Sequence, residues 1–214
     1  KSEENSSSVV RLDGMTGQAT TLHSRSSDDG WGYSGLVAHP DGTVFVTSHE
    51  AEGNNSSVSV IGLDPAGGAK FTVTRPLGEV VTWGSQVLHS IIVAGDGNAY
   101  VPYTYAEYGS TAEPFQWNYL KLLRVSSEGA SANIDVYDWV STYNPDGPMV
   151  YDVNMITNAD QGILATWESI YSLGWDKPTE VRWHMAVVGG GGASVGDLPG
   201  SVEYMDSVAP VLQL

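Results

Sequence analysis

Leu36-Val37-Ala38-His39-Pro40-Asp41-Gly42-Thr43-Val44-Phe45-Val46 decides the reading of this chain, because the chain repeats it. The phrase returns as Ile91-Ile92-Val93-Ala94-Gly95-Asp96-Gly97-Asn98-Ala99-Tyr100-Val101, and again as Met155-Ile156-Thr157-Asn158-Ala159-Asp160-Gln161-Gly162-Ile163-Leu164-Ala165. Each copy is an apolar run, a tight turn centred on Asp, and a second apolar run. The Asp-Gly or Asp-Gln-Gly corner supplies a residue that accepts positive φ, which tight hairpin turns require. The aspartates Asp41, Asp96 and Asp160 lie 55 and then 64 residues apart. A repeat of that length built on hairpins predicts a propeller blade or a similar β array.

A second phrase keeps step with the first. Val9-Val10-Arg11-Leu12-Asp13-Gly14-Met15-Thr16-Gly17 is matched by Val60-Ile61-Gly62-Leu63-Asp64-Pro65-Ala66-Gly67-Gly68 and by Leu122-Leu123-Arg124-Val125-Ser126-Ser127-Glu128-Gly129. Met185-Ala186-Val187-Val188-Gly189 to Ala193 is a weaker copy. The turn glycines Gly17, Gly68, Gly129 and Gly192 fall 51, 61 and 63 residues apart. Two hairpins per repeat give four strands, so the expected fold is all-β, a propeller or a segment of one made of four-stranded antiparallel blades. The expected organisation is a single propeller-like domain: a polar tail over 1–8, a half blade over 9–29, and blades over 30–80, 81–140 and 141–200. Residues 201–214 would be the first strand of a further blade. A propeller has roughly four to eight blades. Two readings stay open: a segment of a longer ring, or a four-bladed ring closed by the tail strand against the N-terminal half blade.

Composition agrees with an all-β chain. The 214 residues include 25 Gly, 7 Trp and 11 Tyr, and turns and strands are where glycine and aromatics concentrate. Nine Lys plus Arg and a net charge of −16 argue against nucleic acid, whose affinity comes from cations on phosphates, and against anionic membranes. The absence of cysteine removes disulfides, thiolate metal sites and a cysteine nucleophile. No stretch approaches the roughly 18 apolar residues of a membrane-spanning helix. The expected setting is extracytoplasmic, secreted or periplasmic. Asn5, Asn54 and Asn55 stand in Asn-x-Ser sequons, which matter only in a eukaryotic secretory pathway.

The phrase Arg11-Leu12-Asp13-Gly14-Met15-Thr16-Gly17-Gln18 resembles the strand-turn-strand of pyrroloquinoline-quinone-like propeller repeats, and Leu36–Val46 and Ile91–Val101 resemble the partner phrase of those repeats. The resemblance spans most of 9–214 through short motifs. It implies the propeller fold, which in that superfamily serves both quinone enzymes and binding scaffolds. The tryptophan-docking motif and vicinal cysteine pair of the quinone enzymes have no counterpart here, so no cofactor ligand carries over.

The site chemistry is sparse. His23, His39, His49, His89 and His184 show no metal-ligand spacing. Asp96 with Asn98, Asn144 with Asp146 and Asp152, and Asn158 with Asp160 are oxygen-rich, which leaves calcium open, since that ion takes about six to eight oxygen ligands. Asx side chains capping their own turns is the plainer reading. Otherwise no cofactor is expected. No nucleophile elbow is present, and Gly189–Gly192 lacks the Lys-Ser/Thr of a phosphate loop.

Loops expected near 49–56, 106–116 and 169–179 share one corner of the repeat, where insertions commonly build a binding face. Aromatics gather there: Tyr105, Tyr108 and Trp117 with Glu107 in one unit, Trp167, Tyr171 and Trp175 in the next. Aromatic platforms beside carboxylates suit carbohydrate or protein ligands. The expected function is a non-enzymatic binding or interaction module using these residues, with no catalytic residue assigned. The alternative is a glycan-active hydrolase or lyase, or a degenerate quinone oxidoreductase, using acids such as Glu107, Glu113 and Glu168. Open blade edges would favour self-association.

Overall fold

The computed structural model describes residues 6–26, 33–52, 55–79, 90–108, 115–142, 149–157, 162–172, 179–189 and 192–203. They form fourteen strands: β1 Ser6–Leu12, β2 Ala19–Ser26, β3 Tyr33–Ala38, β4 Val44–Glu52, β5 Asn55–Leu63, β6 Ala69–Glu79 and β7 Ile92–Val93. The chain continues with β8 Asn98–Tyr108, β9 Phe115–Ser126, β10 Ser131–Thr142, β11 Met149–Thr157, β12 Ile163–Ser172, β13 Thr179–Gly189 and β14 Gly192–Glu203. β1 and β2 pair alone, and the rest make three four-stranded antiparallel meanders, β3–β6, β7–β10 and β11–β14. The fold is all-β, a propeller or segment of one made of four-stranded blades. The first strands β3, β7 and β11 are neighbours in succession, as the inner strands of stacked blades must be.

Each complete sheet has two apolar faces because its strands alternate two sets of apolar residues. Val46, Ile61 and Leu63 of the first blade pack back against Val9 and Leu22 of the half blade. The alternate positions Phe45, Val58 and Val60 pack forward against Ala99, Val101, Leu123 and Val125 of the second blade. That blade in turn sends Tyr100, Leu120 and Leu122 forward against Ile163, Ala165 and Ala186 of the third. A sheet buried on both faces needs apolar residues at successive positions, and this is why the phrase reads Val44-Phe45-Val46 without a polar break. Burying a side chain of this size stabilises by roughly 1.5–3 kcal/mol, so each blade interface is held by many such residues.

The turns repeat in atomic detail. In the first phrase, His39 N–H donates to the Thr43 carbonyl and Gly42 N–H to the His39 carbonyl; Ala94, Asn98 and Gly97 make the same pair of bonds. In the second phrase, Gly67 N–H donates to the Asp64 carbonyl and Gly129 N–H to the Ser126 carbonyl. Gly17, Gly42, Gly67, Gly97 and Gly129 take φ between 69° and 96°, the left-handed region that excludes most side chains. The glycine that bends the Asp64 turn is thus Gly67, one residue ahead of the Gly68 picked out by spacing.

Several boundaries differ from expectation. Ser6–Ser8 pair with Ser24–Ser26, so the last three residues of the expected tail are strand. β14 runs through Glu203 and so uses the first residues assigned to a further blade; residues 204–214 lie outside the described residues. The expected loops are narrower, because β4 extends to Glu52 and β5 begins at Asn55, leaving 53–54 between them. The other two connections shrink to 109–114 and 173–178. Backbone pairing continues beyond the apolar part of each strand, since ladder hydrogen bonds do not require a buried side chain.

Candidate functional site

Because every sheet is a meander, both phrase turns fall at one end of the blades, and the connections 53–54, 109–114 and 173–178 fall at the other. The turn end is chemically closed. Asp41 Oδ1 accepts from Thr43 N–H at 2.8 Å and lies 2.8 Å from His39 Nδ1. The Thr43 N–H and then the His39 side chain hold its carboxyl far below the usual carboxylate range. Asp13 Oδ1 accepts from Thr16 N–H, Thr16 Oγ1 and Met15 N–H, which lowers its pKa likewise. Asp64 Oδ1 accepts from the N–H groups of Ala66 and Gly68.

Asp96 reaches further. Burial pushes its carboxyl up, but Asn98 N–H, the Tyr100 hydroxyl and the Asn98 amide together hold it below its ordinary value. Tyr100, 1% exposed, donates to Asp96 Oδ2 at 2.7 Å, and burial followed by that bond to the carboxylate pushes its phenol up to about 12. Asp13, Asp41, Asp64 and Asp96 therefore serve their own turns. Among the described residues no three His, Asp or Glu side chains gather as metal ligands.

At the opposite end the backbone ladder places the aromatic-rich segment. Tyr105 stands opposite Tyr119, Glu107 opposite Trp117, and Tyr108 opposite Gln116, at the tip of the hairpin of β8 and β9. In the third blade Tyr171 stands opposite Glu180 in the same region. The structure describes the backbone of these residues and not the side chains of Tyr105, Glu107, Tyr108, Trp117 and Tyr171; Trp175 and Glu113 lie outside the described residues.

Trp167 is placed differently from the expected surface platform. It is fully enclosed between the second and third blades. Its ring stacks on His184 at 5.3 Å and 16°, and Tyr137 of β10 packs on both rings, 5.6 Å from Trp167 and 4.8 Å from His184. His184 Nε2 lies 2.6 Å from Ser169 Oγ, and both residues are buried. Trp167 Nε1 is buried with no hydrogen-bond partner among the described residues. Glu168, on the same strand, is also buried. Sequence reasoning missed this cluster, although its signal was available. Counting by twos from Ile163 gives Ala165, Trp167 and Ser169 on the inward face, the column that holds Val101 and Tyr103 one blade earlier.

No protein-family model matches the chain, and no curated protein matches it. Among solved structures, an endo-arabinase from Bacteroides thetaiotaomicron VPI-5482 is similar with a TM-score of 0.45 at 10% identity, over 95% of this chain and 82% of that one.

Proposed function

We propose that this chain is a non-enzymatic binding module whose ligand surface is the blade end carrying the 109–114 and 173–178 connections, and that it takes carbohydrate. One observation carries the reading. The β8–β9 register sets Glu107 directly across from Trp117, with Tyr105 across from Tyr119 two residues along the ladder. Indole and phenol faces cover the apolar face of a sugar ring, while a carboxylate accepts from its hydroxyls. Among the described residues the opposite end offers no comparable group, since Asp13, Asp41, Asp64 and Asp96 are spent on turn N–H donors. A net charge of −16 favours neutral over acidic glycans.

Isothermal titration with a panel of neutral soluble oligosaccharides tests it, using the wild type, Trp117→Ala and Glu107→Gln. Binding by the wild type, lost in Trp117→Ala with an unchanged melting temperature, is the expected result. Binding untouched by both substitutions, or none to any oligosaccharide, overturns the reading. Hydrolysis of a bound glycan that Glu107→Gln abolishes would establish an enzyme instead.

A further inference from the structure

The repeat allows each exposed apolar residue to be compared with its equivalents in the other blades. Val10 and Leu12 of the half blade correspond to Ile61 and Leu63 in the first blade and to Leu123 and Val125 in the second. Ile61, Leu63, Leu123 and Val125 are 8%, 0%, 0% and 0% exposed, because a preceding sheet covers them. Val10 and Leu12 are 46% and 68% exposed. The half blade therefore presents a backward face of the kind the other blades bury.

The third blade presents the complementary face. Its forward positions Ile156, Leu164 and Met185 correspond to Val37, Phe45 and Val60, and to Ile92, Tyr100 and Leu122. Phe45, Val60, Tyr100 and Leu122 are at most 1% exposed and pack on the following sheet. Ile156 is 39% exposed, and Val187, also forward, is 43% exposed. Every internal interface of this array joins a forward face to a backward face. Among the described residues, the two faces left over are one of each.

We infer that the forward face of the third blade in one copy of this chain docks on the backward face of the half blade in a second copy, continuing the blade stack across two molecules. The contact is heterologous, so it closes into a ring or grows head to tail, according to the rotation between copies. Apolar burial drives it, and the negative charge of both copies opposes it over a distance that salt shortens. Association therefore strengthens as salt is raised.

Sedimentation velocity on the full chain from low to high micromolar concentration, at low and high salt, is the test. Two variants carry it, Val10→Lys/Leu12→Lys and Ile156→Lys/Val187→Lys, with circular dichroism verifying that each keeps its strands. The wild type should associate, each variant alone should be monomeric, and an equimolar mixture should recover a dimer of one of each, since each variant retains the face that the other lacks. Monomers throughout for the wild type overturn the proposal. So does association that survives in one variant alone, which would mean self-pairing of one face.

Discussion

Gly129 lies against the ring of Phe71 so closely that a Cβ at position 129 would sit 2.8 Å from the ring. Gly67 lies against Leu22 in the same way, with a Cβ reaching 2.9 Å from the Leu22 backbone. In each case the turn between the third and fourth strands of one blade rests on the fourth strand of the blade before it. The turn glycine thus serves two purposes, the positive φ and the close approach. Gly17, in the half blade, has the positive φ and, among the described residues, nothing within 4 Å of a Cβ there.

That difference separates two costs. Gly17→Ala should destabilise by about 1 kcal/mol, the cost of a Cβ in the left-handed region. Gly129→Ala adds an overpacked contact worth roughly 1–3 kcal/mol, so its loss should be clearly larger. Urea denaturation of the two variants measures the difference; equal losses would mean that the Phe71 ring moves aside freely.

The pair of Asp96 and Tyr100 makes stability depend on pH at both extremes. A phenol whose folded pKa is raised contributes stability that is fully present below its unfolded value near 10 and is lost as pH rises toward about 12. The depressed carboxyls of Asp13, Asp41 and Asp96 contribute stability that is present above the unfolded value of about 3.9 and lost as pH falls through their folded values. Asp96→Asn should bring the Tyr100 titration down from about 12 while burial keeps it above the ordinary value, as read by phenolate absorbance.

Trp167 and Ser169 are structural residues of the interface between the second and third blades. Trp167→Ala should cost about 3–5 kcal/mol, the range for emptying a buried aromatic site. Ser169→Ala leaves a bond to buried His184 unmade and should cost about 1–3 kcal/mol. Thermal or urea unfolding measures both, and near-wild-type stability in Trp167→Ala would contradict the packing described.

Oδ1 of Asp13, Asp41, Asp64 and Asp96 at the turn end already accepts a backbone N–H. EDTA should therefore leave the melting temperature unchanged, and added calcium should not raise it. A calcium-dependent rise lost in Asp96→Ala would show that the turn opens to hold the ion.

How much was legible follows from the range of each signal. The two phrases, each with its Asp or Ser corner and glycine, are local. Hydrogen bonds within about five residues fix them, so sequence alone located the hairpins. Strand ends were less legible, because pairing of Glu50 with Ser57 and of Ala51 with Ser56 rests on ladder bonds that leave no apolar mark. The site suffered most. Aromatic richness around Trp167 is equally a property of a surface platform and of a blade interface.

What the sequence determined by itself is the blade: four strands, two tight corners, and apolar residues on both strand faces that oblige each sheet to be covered twice. What only the tertiary structure decided is which of those residues are covered. Leu12 and Leu63 read alike in the sequence, yet one is 68% exposed and the other fully buried. The reason is that burial belongs to the neighbouring sheet. A strand carries its own pattern, but whether another sheet lies against it depends on residues far along the chain, or on another molecule.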